Sequence, residues 1–250
     1  MRWVRFESSG SGNASFGELD GETIRVGEER FSLEAVRLLA PCEPTKIVCV
    51  ARNYAAHAAE LGNEVPDRPS FFLKPPSAVI GPGETIHLPP GADVDHEAEL
   101  AVVIKERCRH ISADRAHSVI LGYTCMNDVS DRTAQSWERN WVRAKAFDTS
   151  APLGPWIVPA SDLPWPLRVT CRVNGETRQN GSTDALIFGI PELIETITSF
   201  MTLEPGDVIA TGTPAGVGRL SAGDCVEVEV QGIGTLRNQT AVGDGLEVEG

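Results

Sequence analysis

The chain of 250 residues reads as a mixed α/β protein, mostly β. A small β-rich N-terminal unit precedes a rolled or barrel-like sheet structure with a few helices on its outside. Three observations carry this reading. β-prone runs bounded by Gly, Pro, Asn and Asp recur along the whole chain and outnumber helical segments by about two to one. Some runs, such as Ile47-Val48-Cys49-Val50, are apolar at every position, as buried strands are. Others, such as Cys225-Val226-Glu227-Val228-Glu229-Val230, alternate as a strand with one wet face does.

The elements follow in order. Residues 1–45 form the first unit: Trp3, Val4 and Phe6 fit a strand, and Asp20-Gly21 signals a hairpin before Thr23-Ile24-Arg25-Val26. Pro41 and Pro44 then punctuate the chain, and the main domain, 46–250, opens on a buried strand over 46–50. Residues 54–61 have helical composition, with Asn53 as the N-cap and Gly62 as the stop. The Pro/Gly-rich passage 66–91 is extended chain with turns, because Phe71-Phe72-Leu73 and Ala78-Val79-Ile80 are too apolar for a disordered linker. Strands are predicted over 97–105 and 120–126, and a short helix over 131–137. A strand over 167–173 runs into Asn174-Gly175, a type I′ hairpin signal. Pro191 opens a helix whose stripe of Leu193, Ile194, Ile197 and Met201 faces the core. Gly232-Ile233-Gly234 turns the strand over 225–230 into another over 235–240.

Charge narrows the function classes. Thirty-five acidic against 22 basic residues leave a net charge of -13, which argues against nucleic acid or an anionic membrane surface as the main partner. The six cysteines form no CxxC pair and mostly sit in apolar runs, so they read as buried thiols and not as a disulfide framework. No apolar segment follows Met1-Arg2-Trp3-Val4-Arg5-Phe6 as in a signal peptide, and no run approaches a membrane span, so a cytoplasmic location is expected.

The chemistry concentrates around Val94-Asp95-His96-Glu97-Ala98-Glu99-Leu100. On a strand, residues two apart face one side, so Glu97 and Glu99 project together while Ala98, Leu100 and Val102 cover the other. Two like charges on one face repel, and a divalent cation would compensate them. Asp128 ends the apolar run Gly122-Tyr123-Thr124-Cys125-Met126 and makes a third acid at a strand end. Carboxylates with no cysteine nearby form a hard oxygen site that favours Mg²⁺, Mn²⁺ or Ca²⁺ over Zn²⁺ or copper. His57 and Glu60 are three apart on the predicted helix, so Glu60 can hold the imidazole in one tautomer and make His57 a general base. His96 alternates onto the other face and reads as structural. Lys145, in an apolar, turn-rich setting, can reach a carboxylate or an oxyanion. The Gly-rich run Thr211-Gly212-Thr213-Pro214-Ala215-Gly216-Val217-Gly218 lacks the lysine of a P-loop and the dinucleotide spacing, which excludes nucleotide binding by either device. It can still offer backbone N–H groups and the Thr213 hydroxyl to an anion.

Taken together, these stretches resemble the fumarylacetoacetate hydrolase family. The matching segments are Ala51-Arg52-Asn53-Tyr54-Ala55-Ala56-His57, the run 95–104, Asn127-Asp128-Val129-Ser130-Asp131-Arg132, Lys145-Ala146-Phe147-Asp148 and the loop 211–218. Their order along the chain makes the resemblance specific. It implies a mixed β-roll fold, a homodimer, and a Mg²⁺ or Mn²⁺ site from Glu97, Glu99 and Asp128. It also implies a catalytic His57/Glu60 pair, a catalytic Lys145, and substrate contacts from Arg132, Gln135 and Thr213. Lys105-Glu106 departs from the glycine many members carry there, which predicts a changed turn.

The implied substrates are short 2-oxo, 2,4-dioxo or 2-hydroxydienoic acids, whose reactions pass through an enolate stabilised beside the cation. A 2-hydroxymuconate-type isomerase or a C–C bond hydrolase of aromatic catabolism leads. Oxaloacetate-type decarboxylation is the alternative, and a ureido-acid lyase ranks behind it. A reading of another class is a cation-binding β protein without turnover, for which the His57/Glu60 pair would have no use.

Overall fold

A computed structural model describes residues 1–8 and 12–243. The end of the predicted main domain, 244–250, lies outside the described residues. The predicted β-dominated architecture is present. The largest sheet has twelve strands. Its main path runs Glu29–Ser32, Thr23–Val26, Ala14–Asp20, Arg2–Ser8, Ala151–Val158, Ile120–Asn127, Ala98–Ile104, Val208–Ala210, Ile47–Ala51 and Ser70–Lys74. The N-terminal β region is thus hydrogen-bonded to the rest of the chain, through Trp3 opposite Ile157. A five-stranded sheet, ordered Glu176–Ser182, Arg168–Val173, Cys225–Val230, Gly234–Val242 and Thr85–Leu88, packs against it.

The strand Ala98–Ile104 shows why the layers lie as they do. It is buried at every position, because both of its faces are covered. Leu100, Val102 and Ile104 join a core with Val169 and Val228 of the smaller sheet and with Leu193, Ile194 and Ile197 of the helix Ile190–Phe200. Ala101 and Val103 face the other way, into a second core with Ile47, Cys49, Met126 and Leu153. Each buried aliphatic side chain contributes about 1.5–3 kcal/mol, so the strand is pinned in register. Glu99 belongs to this second face by alternation, and it lies at the end where the apolar packing stops.

Local signals resolve as chemistry dictates. Asn174 and Gly175 adopt φ of 53° and 80°, the left-handed pair that a type I′ hairpin requires. Gly21 has φ of 60°, and the hairpin loop is Gly21-Glu22, since Asp20 already pairs with Thr23. Strand Ala98–Ile104 stops before Lys105, whose N–H still reaches Val119 O at 2.8 Å, so the chain turns here without a glycine. The helix Ala55–Glu60 ends before Gly62 at φ 69°, as predicted.

Asn53 is a correction. It does not cap that helix; Tyr54 occupies the cap position without a side-chain bond. The Asn53 amide is fully buried and instead donates to Phe188 O and Thr211 O, at 3.1 and 2.8 Å, and accepts from Phe188 N. A buried amide must fill all its valences, and here two loops supply the partners. Met201 caps the end of its helix and, though half-buried, packs against the core that Leu193, Ile194 and Ile197 join. Five cysteines are buried, Cys225 is half-buried, and all six are free thiols. Among the described residues no helix is long and apolar enough to cross a membrane.

Candidate active site

The site grows out of one antiparallel register. Ala98 pairs with Asn127, so the next residues outward, Glu97 and Asp128, stand opposite each other where the two strands end. Two bonds lock this end: Glu97 N donates to Asn127 Oδ1 and Asp128 N donates to Glu97 O, at 2.9 and 2.8 Å. Glu99 follows Glu97 by one pleat period. One carboxylate oxygen from each of Glu97, Glu99 and Asp128 lies within 4.8 Å of the others, and all three residues are buried.

Such a cluster of like charges needs compensation. Part of it comes from the protein. Lys145 Nζ donates to Glu97 Oε2, Asp128 Oδ2 and Ser130 Oγ at 2.9, 2.8 and 2.6 Å, and lies 4.8 Å from the Phe72 ring centroid. Burial works against its charge, but Asp128 and Glu97 outweigh this and hold the Lys145 pKa above its usual value. Arg132 Nη2 donates to Glu97 Oε1 at 2.5 Å. Burial pushes the Glu97 carboxyl up, yet Lys145 and Arg132 overcome it and hold Glu97 far below the usual carboxylate range. Glu99 has less help. Gly212 N donates to its Oε2 at 2.7 Å, but burial, Asp128 and Glu97 push its pKa well above normal.

The donor set fits a hard divalent cation. It offers oxygen only, from three separate carboxylates at ion-sharing range. Asp128 Oδ1 is buried and receives no well-directed hydrogen bond, although Lys74 Nζ lies 2.9 Å away. Burial and its acidic neighbours disfavour the charge on Glu99, and a cation would stabilise it.

A cavity of about 310 Å³ opens over these groups. Seven of the nine predicted site residues line it: His57, Glu97, Glu99, Arg132, Gln135, Lys145 and Thr213. Asp128 and Glu60 stand behind the wall. His57 is buried, and its Nδ1 lies 3.4 Å from Glu60 Oε2. Both Glu60 oxygens accept from Gly216 N, at 3.0 and 3.1 Å, which ties the helix Ala55–Glu60 to the Gly-rich loop. That loop therefore serves the protein's own carboxylates: Gly212 N holds Glu99 and Gly216 N holds Glu60. The Thr213 hydroxyl donates to Ala98 O at 2.9 Å and accepts from Gln179 Nε2 at 2.7 Å, so these groups already have partners where an anion was expected. Arg132 donates to Asp95 and to Gln135 as well, at 2.7 and 2.8 Å.

Two supporting residues escaped sequence reasoning. Lys74 is fully buried and donates to the carbonyls of Val129, Lys145 and Ser150, at 3.1, 2.6 and 2.8 Å. Burial lowers its pKa, with Asp128 pulling the other way. Its signal was available: a lone lysine within Phe71-Phe72-Leu73-Lys74-Pro75-Pro76. Gln179 is also fully buried; its Oε1 accepts from Ala98 N and lies 3.0 Å from His96 Nδ1. It sits on the strand Glu176–Ser182, remote in sequence, and carried no signal. His96 is confirmed as a buried supporting group whose pKa burial lowers.

Known proteins place this arrangement. Residues 46–241 match the model of the fumarylacetoacetate (FAA) hydrolase C-terminal family, and residues 1–41 match an Rv2993c-like N-terminal model. The chain belongs to the fumarylacetoacetate hydrolase family. It is 43% identical over 229 residues to oxaloacetate tautomerase YisK of Bacillus subtilis, covering 86% of this chain and 76% of that protein. It resembles the crystal structure of 5-carboxymethyl-2-hydroxymuconate delta-isomerase from Mycobacterium smegmatis with a TM-score of 0.90 and 43% identity, over 98% of this chain and 100% of that one. A maleylpyruvate hydrolase from Sphingobium sp. SYK-6, solved with manganese(II) and pyruvate, matches with a TM-score of 0.82 and 31% identity, over 98% and 100% of the two chains.

Proposed function

We infer that this protein is a divalent-metal-dependent enzyme that moves a proton on a short 2-oxo acid, as a tautomerase or 2-hydroxymuconate-type isomerase. The observation that carries the reading is the buried trio Glu97, Glu99 and Asp128 within 4.8 Å, with Lys145 bridging Glu97 and Asp128, beneath a small cavity that Glu97, Glu99, Lys145 and His57 line. The relatives named at 43% identity are a tautomerase and an isomerase, which favours proton transfer over water addition or loss of CO₂.

Glu97, Glu99 and Asp128 would hold Mg²⁺ or Mn²⁺. Such an ion, once bound, supplies positive charge where an enolate oxygen develops. The protein's own groups do the rest. The Glu60 contact favours the proton on His57 Nδ1, leaving Nε2 free to take a proton from the carbon next to the 2-oxo group and to return it. Lys145 adds a second, fixed positive charge beside Glu97 and Asp128. Arg132 and Gln135 hold each other at the wall and orient the carboxylate end of the substrate. Phe72 and Trp141, in edge contact at 5.8 Å, keep the cavity partly dry. A cation-binding module without turnover would have no need of His57 and Glu60 at this wall. The active form is a homodimer, which light scattering would read as twice the 26.9 kDa chain mass.

The test is a panel of short 2-oxo acids in deuterated buffer with Mg²⁺ or Mn²⁺, followed by NMR and mass spectrometry. Accelerated keto–enol or double-bond migration at unchanged carbon skeleton is expected. Cleavage of the skeleton would replace the isomerase reading with a hydrolase, and release of CO₂ with a decarboxylase. No metal-dependent change in any acid would remove the proposal altogether.

A further inference from the structure

Two guanidinium groups line the cavity, Arg132 and Arg52, and their bonding differs sharply. Arg132 is paired with Asp95 and Glu97 and also donates to Gln135. Arg52 donates a single hydrogen bond, from Nη1 to the neutral Asn63 Oδ1 at 3.1 Å, and forms no ion pair among the described residues. Its Nε is buried and has no partner at all. A guanidinium carries five N–H donors, so most of those of this half-buried side chain have no protein partner. Buried donors are seldom left so, because an unmet N–H loses its hydration for nothing.

The backbone shows that the placement is built in. Arg52 follows the buried strand Ile47–Ala51 and has φ of 55°, a left-handed conformation that a side-chain-bearing residue adopts only when its surroundings hold it. The next residue, Asn53, is the fully buried amide clamped to Phe188 and Thr211. On the other side Asn63, which receives the Arg52 bond, is tied by its N–H to Ala58 O of the helix that carries His57. Arg52 is thereby held at the wall on which the proposed base sits.

The floor of the cavity is acidic. A substrate with one carboxylate can direct it at a cation held by Glu97, Glu99 and Asp128. A second carboxylate, remote from the 2-oxo group, would be repelled by those acids, and Lys145 and Arg132 are already paired with them, so it needs a cation that is free elsewhere. We propose that Arg52 receives this second carboxylate and makes the site select short 2-oxo dicarboxylic acids over the corresponding monoacids. The proposal deepens, and rests on, the 2-oxo acid reading of the same cavity.

The test compares acids that differ only in the distal carboxylate: oxaloacetate against pyruvate, and 2-oxoglutarate against 2-oxobutyrate. Equilibrium binding with Mg²⁺ present is measured for wild type, Arg52→Gln and Arg52→Lys, alongside turnover. Wild type binds the diacid of at least one pair more tightly. Arg52→Gln reduces that preference about 10- to 100-fold, the worth of a charged hydrogen bond, and Arg52→Lys restores part of it. An unchanged diacid-to-monoacid ratio in both pairs overturns the proposal. So does an equal loss for both acids, which would mark Arg52 as merely structural. If the ratio shifts as expected but no acid is turned over, Arg52 stands as the diacid contact and the isomerase reading falls. A wild-type protein that binds neither acid of either pair overturns both.

Discussion

Replacing Lys74 with Met tests whether the acidic cluster is balanced as its geometry implies. The side chains are similar in length, so the change removes a buried charge and little volume. Lys74 Nζ serves the carbonyls of Val129, Lys145 and Ser150 and lies 2.9 Å from Asp128 Oδ1. Two of those carbonyls keep another donor: Ser150 O from Val129 N, and Lys145 O from Ser150 Oγ. Val129 O is left alone, at a cost of about 1–3 kcal/mol. Asp128 loses one of two cations and keeps Lys145 at 2.8 Å, so the penalty stays toward the low end of the about 3–5 kcal/mol typical of a broken buried pair. A loss of about 3 kcal/mol is expected in chelator, or about 6–12 °C in melting temperature for a chain of this size. The trio then carries one more uncompensated negative charge, so added Mg²⁺ should stabilise Lys74→Met by more than it stabilises wild type. Urea unfolding in chelator and in Mg²⁺ measures both quantities. An unchanged midpoint in chelator, or equal Mg²⁺ increments in the two proteins, would refute the charge-balance reasoning.

Other outcomes follow from the same structure. His57→Ala should lower turnover by about 10²- to 10⁴-fold while leaving the Mg²⁺-induced rise in melting temperature intact, and surviving activity would show that another group is the base. Asp207→Ala should destabilise by about 3–5 kcal/mol in urea, because this fully buried carboxylate pairs with Lys46 and accepts from Thr45, Lys46 and Glu204 backbone N–H groups. An effect below about 1 kcal/mol would show that those loops hold without it. Thiol titration with a disulfide reagent at pH 8 should find Cys225 reacting first. Burial pushes Cys42, Cys125 and Cys171 up to about 12, so below that pH they stay protonated and slow until urea exposes all six. Rapid reaction of more than one thiol in the native protein would contradict this burial.

Much of the candidate site could be read from local sequence. Glu97 and Glu99 share a side because the strand period is two. His57 and Glu60 meet because the helix period brings residues three apart together. Asn174-Gly175 and Gly62 announced their turns because few residues tolerate positive φ. Asn53 shows the limit of such reading. Beside a helix start it looked like a cap, but two loops distant in sequence took its amide. Thr213 is the same case: a free hydroxyl in sequence, it is bound to Ala98 O and Gln179 in the fold. Lys74, Gln179 and Arg52 gained their meaning only from what packs around them.

The order of residues by itself determined which groups could carry the chemistry, since residue type and short-range period are local properties. Only the tertiary structure decided which charges are matched. Whether Lys145 reaches Glu97, Lys74 faces Asp128 or Arg52 lacks an anion depends on how strands far apart in the chain come to lie side by side. The long-range packing of apolar faces sets that arrangement.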